Sequence, residues 1–196
     1  MRSVDWSSGT WWQQPVRAVE EPDGALSVEP GAGSDLWRHT SYGFVHDDAP
    51  ALLAPFPVDS AVEVDFRLDW TEQFDQAGVL VRVDDRNWVK AGVEVSDGQP
   101  QVGAVVTREF SDWSVAPVPD WTGREVTVRV SRAGNALTVR ARVAGEPWRL
   151  VRLAPLAPDA EASAGPYCCS PSRGGLTVHF TAWRHGPADA TLHPEH

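Results

Sequence analysis

The chain has 196 residues, a formal net charge of −10, 42% hydrophobic residues and 22% charged ones. That length fits one domain with a sizeable core. The acidic balance disfavours nucleic acid and anionic membrane surfaces as partners, and no stretch reaches the roughly 18 consecutive apolar residues a membrane span needs.

Segment 1–34 is rich in Pro, Gly and Trp and is expected to wrap the domain as short strands and loops. Its opening "MRSVDWSSGTWW" lacks the apolar centre of a secretory signal. Next, "DLWRHTSYGFVHDDAPALL" (35–53) crowds Trp37, His39, Tyr42, Phe44 and His46 beside Asp47 and Asp48. Aromatic rings with polar tips, set among carboxylates and imidazoles, suit a carbohydrate or another small polar ligand. The plainer alternative packs Trp37 and Phe44 at an edge and leaves the histidines solvated. No ligand spacing marks His39, His46 and Asp48 as a metal centre, so neither metal nor cofactor is expected.

From residue 61 the pattern alternates at period two. "AVEVDFRLDW" (61–70) puts Val62, Val64, Phe66 and Leu68 on one face and Glu63, Asp65, Arg67 and Asp69 on the other. "QAGVLVRV" (76–83) and "QVGAVVT" (101–107) are apolar on both faces, the mark of central strands covered from two sides. "NWVKAGVEV" (87–95) lies between them and is expected to pair with each. "VVTREFSDWSV" (105–115) reads as a strand passing into a loop, with Thr107, Arg108 and Trp113 as site candidates and Ser111 and Asp112 as turn residues. "REVTVRV" (124–130), "ALTVRARV" (136–143) and "GLTVHFTAW" (175–183) alternate again, separated by turns such as "RAGN" and "AGEP". Many short strands joined this way predict an all-β fold of antiparallel sheets packed as a sandwich or jelly roll. One domain over 1–185 is expected, followed by a patternless, disordered tail over 186–196. Cys168 and Cys169 are adjacent, so on a strand they face opposite ways and a bridge between them would be strained. A reducing cytoplasm is the simplest compartment.

One residue stands apart. Sixteen of the seventeen basic residues are arginine, and Lys90 is the only lysine. Alternation places Trp88, Lys90, Gly92 and Glu94 on one face of a central strand and Val89, Ala91, Val93 and Val95 on the core face. An aromatic, a cation, a gap and a carboxylate in line make a floor for a polar ligand, with Gly92 leaving room for a ring or a close neighbour. The bland alternative is a Lys90–Glu94 ion pair on a solvated sheet, which contributes little.

"FDQAGVLVRVDDRNWVKAGVEVSDGQPQVGAVVTREFSDWSV", with "YCCSP" and a closing "LTVHFTAW", resembles the regulation-of-enolase-like family of the concanavalin A-like lectin/glucanase superfamily. The likeness runs from about Asp35 to Trp183 and includes "WRHTSYGF". Where members of that family carry a basic residue after "YGF", this chain has Val45 and His46 before Asp47. The resemblance implies a jelly-roll sandwich of two antiparallel sheets with a sugar-binding concave face. It implies that His39, Tyr42, Gln76, Lys90, Glu94, Thr107, Arg108 and Trp113 line that face, beside the Trp88 drawn from alternation. Glycanases of the superfamily carry Glu, Asp and Glu at alternate positions of one strand. The nearest match, Glu63, Asp65 and Asp69, lacks the second glutamate and is interrupted by Arg67.

The expectation is a cytoplasmic concanavalin A-like domain that binds a small carbohydrate or similar polar molecule. Two alternatives stand beside it. One is a lyase, isomerase, epimerase or glycoside hydrolase using Lys90 and Glu94, the lysine acting as a base of lowered pKa. The other is a protein-interaction module, with a homodimer among its forms, presenting some of the ten tryptophans.

Overall fold

A computed structural model describes residues 1–193. Among them, an eight-stranded antiparallel sheet packs on a seven-stranded one. The larger sheet runs, in order of pairing, Arg149–Pro155, Ala136–Val143, Glu125–Ala133, Ser60–Arg67, Val178–Pro187, Leu26–Glu29 and Arg17–Glu20, with Arg2–Ser3 alongside Val178–Pro187. The smaller runs Phe110–Pro117, Gln99–Arg108, Asn87–Ser96, Gln76–Arg82, Ser163–Cys169, Leu52–Pro55 and Thr10–Trp11.

The period-two pattern explains the packing. Val62, Val64, Phe66 and Leu68 of the larger sheet meet Val79, Val89, Ala91 and Val93 of the smaller in one continuous core. Each such side chain contributes about 1.5–3 kcal/mol by leaving water. The opposite face of the smaller sheet is also covered. Leu36, Trp37, Leu53, Leu80, Trp88, Val105 and Tyr167 form a second cluster there. This is why residues 76–83 and 101–107 are apolar on both sides.

The cover is a two-stranded hairpin, Leu36–Arg38 with Val45–Asp47. Its tip turns sharply, with His39, Ser41 and Gly43 at φ of 59°, 65° and 73°. Segment 1–34 contributes short strands to both sheets: Arg17–Glu20 and Leu26–Glu29 extend the larger, and Thr10–Trp11 borders the smaller.

Two local expectations are corrected. Residues 110–117 form an edge strand and not a loop, pairing with Gln99–Arg108 from Arg108↔Phe110 to Gln101↔Pro117. The reversal is made by Glu109 alone, at φ 63°, held by Arg38 and Arg86. The first part of the expected tail is docked. Gly186 and Pro187 pair with Ala61 and Ser60, and Asp189 takes ion pairs from Arg129 and Arg140. Positions 194–196 of that expectation lie outside the described residues.

Candidate functional site

The outer face of the smaller sheet is a ladder of side chains in register. One rung runs Trp113–Val105–Lys90–Leu80–Gly165. Two residues along each strand comes a rung of Val115–Gly103–Gly92–Gly78–Tyr167, and four along a rung of Pro117–Gln101–Glu94–Gln76–Cys169. Gly92 lies between Lys90 and Glu94, yet it opens no space for a ring. A methyl group there would run into the Ala77 carbonyl, and one on Gly78 into the Ala91 carbonyl. These glycines allow a backbone approach that other residues forbid.

Above the polar rungs, beneath the hairpin, lies a cavity of about 510 Å³. Lys90, Glu94, Gln76 and Asp35 supply its polar groups, and Trp37, Tyr42, Phe44, Phe74 and Trp113 its aromatic walls, with His46 near the mouth. Edge-on contacts join Trp37 to Tyr42 and to Trp113, at centroid distances of 5.7 Å and 6.4 Å. Tyr42 stacks on Phe44 at 5.3 Å. Offset and edge arrangements of this kind suit the ring quadrupoles and stiffen the wall.

Lys90 donates to Asp35 Oδ1 at 2.8 Å, and that oxygen also accepts the Leu36 N–H at 2.7 Å. In place of the alternative Lys90–Glu94 pair on a solvated sheet stands a buried Lys90–Asp35 pair that pins the start of the hairpin to the sheet. Asp35 carries no local motif; its role follows from a partner 55 residues away in sequence. Burial, the largest single influence, pulls the Lys90 pKa down, but the charge and hydrogen bond of Asp35 together with the acidic neighbours Cys169 and Glu94 leave the ammonium held above its ordinary value. A base of lowered pKa, which the enzymatic alternative asked of this lysine, is not what its surroundings produce.

Glu94 is the labile group. Burial raises its carboxyl to about 7, partly offset by Lys90 and the Trp113 hydrogen bond and reinforced by Asp35. Gln76, directly opposite, is 3% exposed. Its amide nitrogen donates to the Phe74 carbonyl at 3.2 Å, while its Oε1 is buried with no partner.

The cavity therefore gathers Tyr42, Gln76, Lys90, Glu94 and Trp113 of the predicted residues. The others lie elsewhere. Trp88 shares the Lys90 face but sits one rung further out, buried in the cluster under Trp37. Thr107 lies beside it, bonded to Ser111, whose hydroxyl accepts the Arg38 N–H at 2.9 Å. Arg108 points to the other face and donates to the Pro155 carbonyl. His39 sits at the hairpin tip against Phe110, near Glu109. Trp37, Phe44 and His46, read from sequence only as members of the aromatic cluster 35–53, also line the cavity, as do Asp35 and Phe74, which were not predicted as ligand residues. Phe74 offers no sequence signal; a left-handed backbone at φ 65° turns it to the mouth.

Of the strand acids, Glu63 and Asp65 lie on the far side of the molecule and are ion-paired, and Asp69 is exposed. Arg184 grips Asp65 with two bonds of 2.8 Å and 2.6 Å and also reaches Glu63, which Arg129 holds at 2.9 Å. Cys168 faces the core and Cys169 the outer cluster, both free and buried. Among the described residues, no group of three or more His, Cys, Asp or Glu is placed to hold a metal ion, and no helix is long and apolar enough to cross a membrane.

With this geometry, the family of "Protein of unknown function (DUF1349)" matches residues 11–188. The chain belongs to that family. It is 35% identical over 182 residues to "Regulation of enolase protein 1" of Saccharomyces cerevisiae, covering 93% of this chain and 91% of the yeast protein. A crystal structure of a functionally unknown protein from Saccharomyces cerevisiae superposes with a TM-score of 0.88 at 34% identity, covering 95% of this chain and all of that one. The fold also resembles a xylan beta-1,4-xylosidase from Bacillus halodurans, at a TM-score of 0.71 and 15% identity over 94% of this chain and 39% of that one. A Lotus tetragonolobus seed lectin superposes at 0.58 and 12% identity, over 96% and 97% of the two chains. These distant likenesses establish the concanavalin A-like jelly roll and nothing finer.

Proposed function

We propose that the protein binds a small carbohydrate or similar polar molecule in the cavity between the hairpin and the seven-stranded sheet. One observation carries this reading: a polar floor of buried Lys90 and Gln76 and half-buried Glu94 lies beneath walls formed by Trp37, Tyr42 and Trp113. Ring faces that are apolar and edges that carry hydroxyls match such a lining. The sandwich shared with a lectin and a xylosidase supports the reading at the level of fold. Trp113 and Tyr42 are 39% and 59% exposed, so truncating them leaves the core intact. The test is a thermal-shift and tryptophan-fluorescence titration with neutral sugars, sugar phosphates and sugar acids. Binding by the parent protein that is lost in Trp113→Ala and Tyr42→Ala supports the proposal. No response to any sugar defeats it.

A second reading is an enzyme in which Glu94 moves a proton. A carboxyl raised to about 7 is matched to acid–base work near neutrality. Turnover of any bound sugar, followed by mass spectrometry, and its loss in Glu94→Gln separate this reading from simple binding.

A further inference from the structure

The charge and hydrogen-bond inventory of the cavity restricts its ligand further than shape does. Lys90 is the one Lys or Arg in the lining, and its charge is already committed to Asp35 at 2.8 Å. The neighbouring basic residues are committed as well. Arg38 pairs with Glu109, and Arg173 pairs with the fully buried Asp75 behind the mouth. An incoming phosphate or carboxylate would find no free cation and would stand beside Asp35 and Glu94. Desolvating it without a counter-charge is costly.

A cationic ligand fares no better on the floor, where the Lys90 ammonium is fixed. What the lining does hold is an acceptor without a partner, the buried Oε1 of Gln76. The Gln76 side chain cannot be turned over to hide its oxygen, because its amide nitrogen is held by the Phe74 carbonyl. A buried carbonyl oxygen without a partner is unfavourable in the empty protein and is relieved by a ligand that brings a donor. A hydroxyl supplies a donor without charge.

Resting on the carbohydrate reading above, we propose that the cavity selects an uncharged, hydroxyl-rich ring, one hydroxyl of which donates to Gln76 Oε1, and that it refuses sugar phosphates and uronic acids. Glu94, opposite Gln76 across the strand pair, serves as the second contact to the same ring edge. The exposed Trp113 packs on one face of the ring, with the buried Trp37 held edge-on against Trp113. The empty protein thus keeps one polar atom unsatisfied for the ligand to satisfy, a local cost in stability at a functional position.

The experiment uses the full chain and isothermal titration with xylose, glucose and N-acetylglucosamine as neutral probes, glucose 6-phosphate and glucuronate as anions, and choline as a cation. The expected result is at least ten-fold tighter binding of a neutral sugar than of any charged probe. Gln76→Leu, near in volume but without the acceptor, is expected to weaken that sugar at least ten-fold while leaving the thermal midpoint unchanged or higher. Gln76→Met repeats the test with an unbranched side chain, and the selectivity of the parent protein is read without any variant. Preference for glucose 6-phosphate, glucuronate or choline overturns the inference while leaving a ligand cavity in place. Unaltered sugar affinity in a folded Gln76→Leu or Gln76→Met protein overturns it too. Silence from every probe defeats the carbohydrate reading itself.

Discussion

Removing the Asp35 carboxylate should be more damaging than removing the lysine it holds. The Lys90 side chain is 4% exposed and that of Asp35 is 16% exposed. Asp35→Asn leaves a buried ammonium on the cavity floor with no opposite charge in contact. Breaking a buried pair in this direction costs about 3–5 kcal/mol. Lys90→Met leaves a carboxylate that still accepts the Leu36 N–H and reaches water at the cavity edge, so its cost is about 1–2 kcal/mol. The double variant should fall near Lys90→Met, because the charge that made Asp35→Asn costly is gone. Urea unfolding followed by tryptophan fluorescence measures all three, provided the slope with denaturant is unchanged. If Asp35→Asn proves no worse than Lys90→Met, or the double variant is as unstable as Asp35→Asn, the assignment of Asp35 as the counter-charge is wrong.

Further outcomes follow from the same geometry. Glu94 is raised from 4.5 to about 7 in the folded chain, so the native state holds a proton that the unfolded state has released between those values. Stability should therefore be fullest near pH 4.5 and decline as pH rises through 7, by at most about 3 kcal/mol. Urea midpoints at pH 5 to 8 should flatten in Glu94→Gln; an equal slope in that variant would assign the loss to another group. Gly92→Ala should destabilise by roughly 1–3 kcal/mol or more, since its methyl group meets backbone and not a movable side chain; thermal unfolding reads this, and an unchanged midpoint would contradict the close strand approach. Burial raises both thiols, and Cys168 and Cys169 are wholly inaccessible. Neither should react with a disulfide reagent until urea unfolds the chain, and rapid labelling of the native protein would refute their placement.

The strands were legible because burial imposes a period of two. Val62, Val64 and Phe66 could only face a core, and the doubly apolar runs 76–83 and 101–107 could only lie centrally. The same rule put Lys90, Gly92 and Glu94 on one face. The rule also put Trp88 there, where it lies buried in the cluster beneath the hairpin, and it sets Arg108 on the face opposite Thr107, as found, although neither Trp88 nor Arg108 lines the cavity. It failed for Phe110–Pro117, where one left-handed residue, Glu109, reversed the chain so tightly that no turn motif announced it.

Local sequence by itself thus determined the all-β class, the strand partners of Asn87–Ser96 and the face on which the lysine emerges, since alternation and turn residues act between near neighbours. Tertiary structure decided what the lysine meets. Asp35 reaches it from 55 positions away, and only the laying of the hairpin across the sheet turns a solvated strand face into a walled cavity, raises Glu94 by desolvation and strands the Gln76 oxygen. Contacts of that separation carry no periodic mark in the chain, because they depend on how the layers stack and not on how neighbouring side chains alternate.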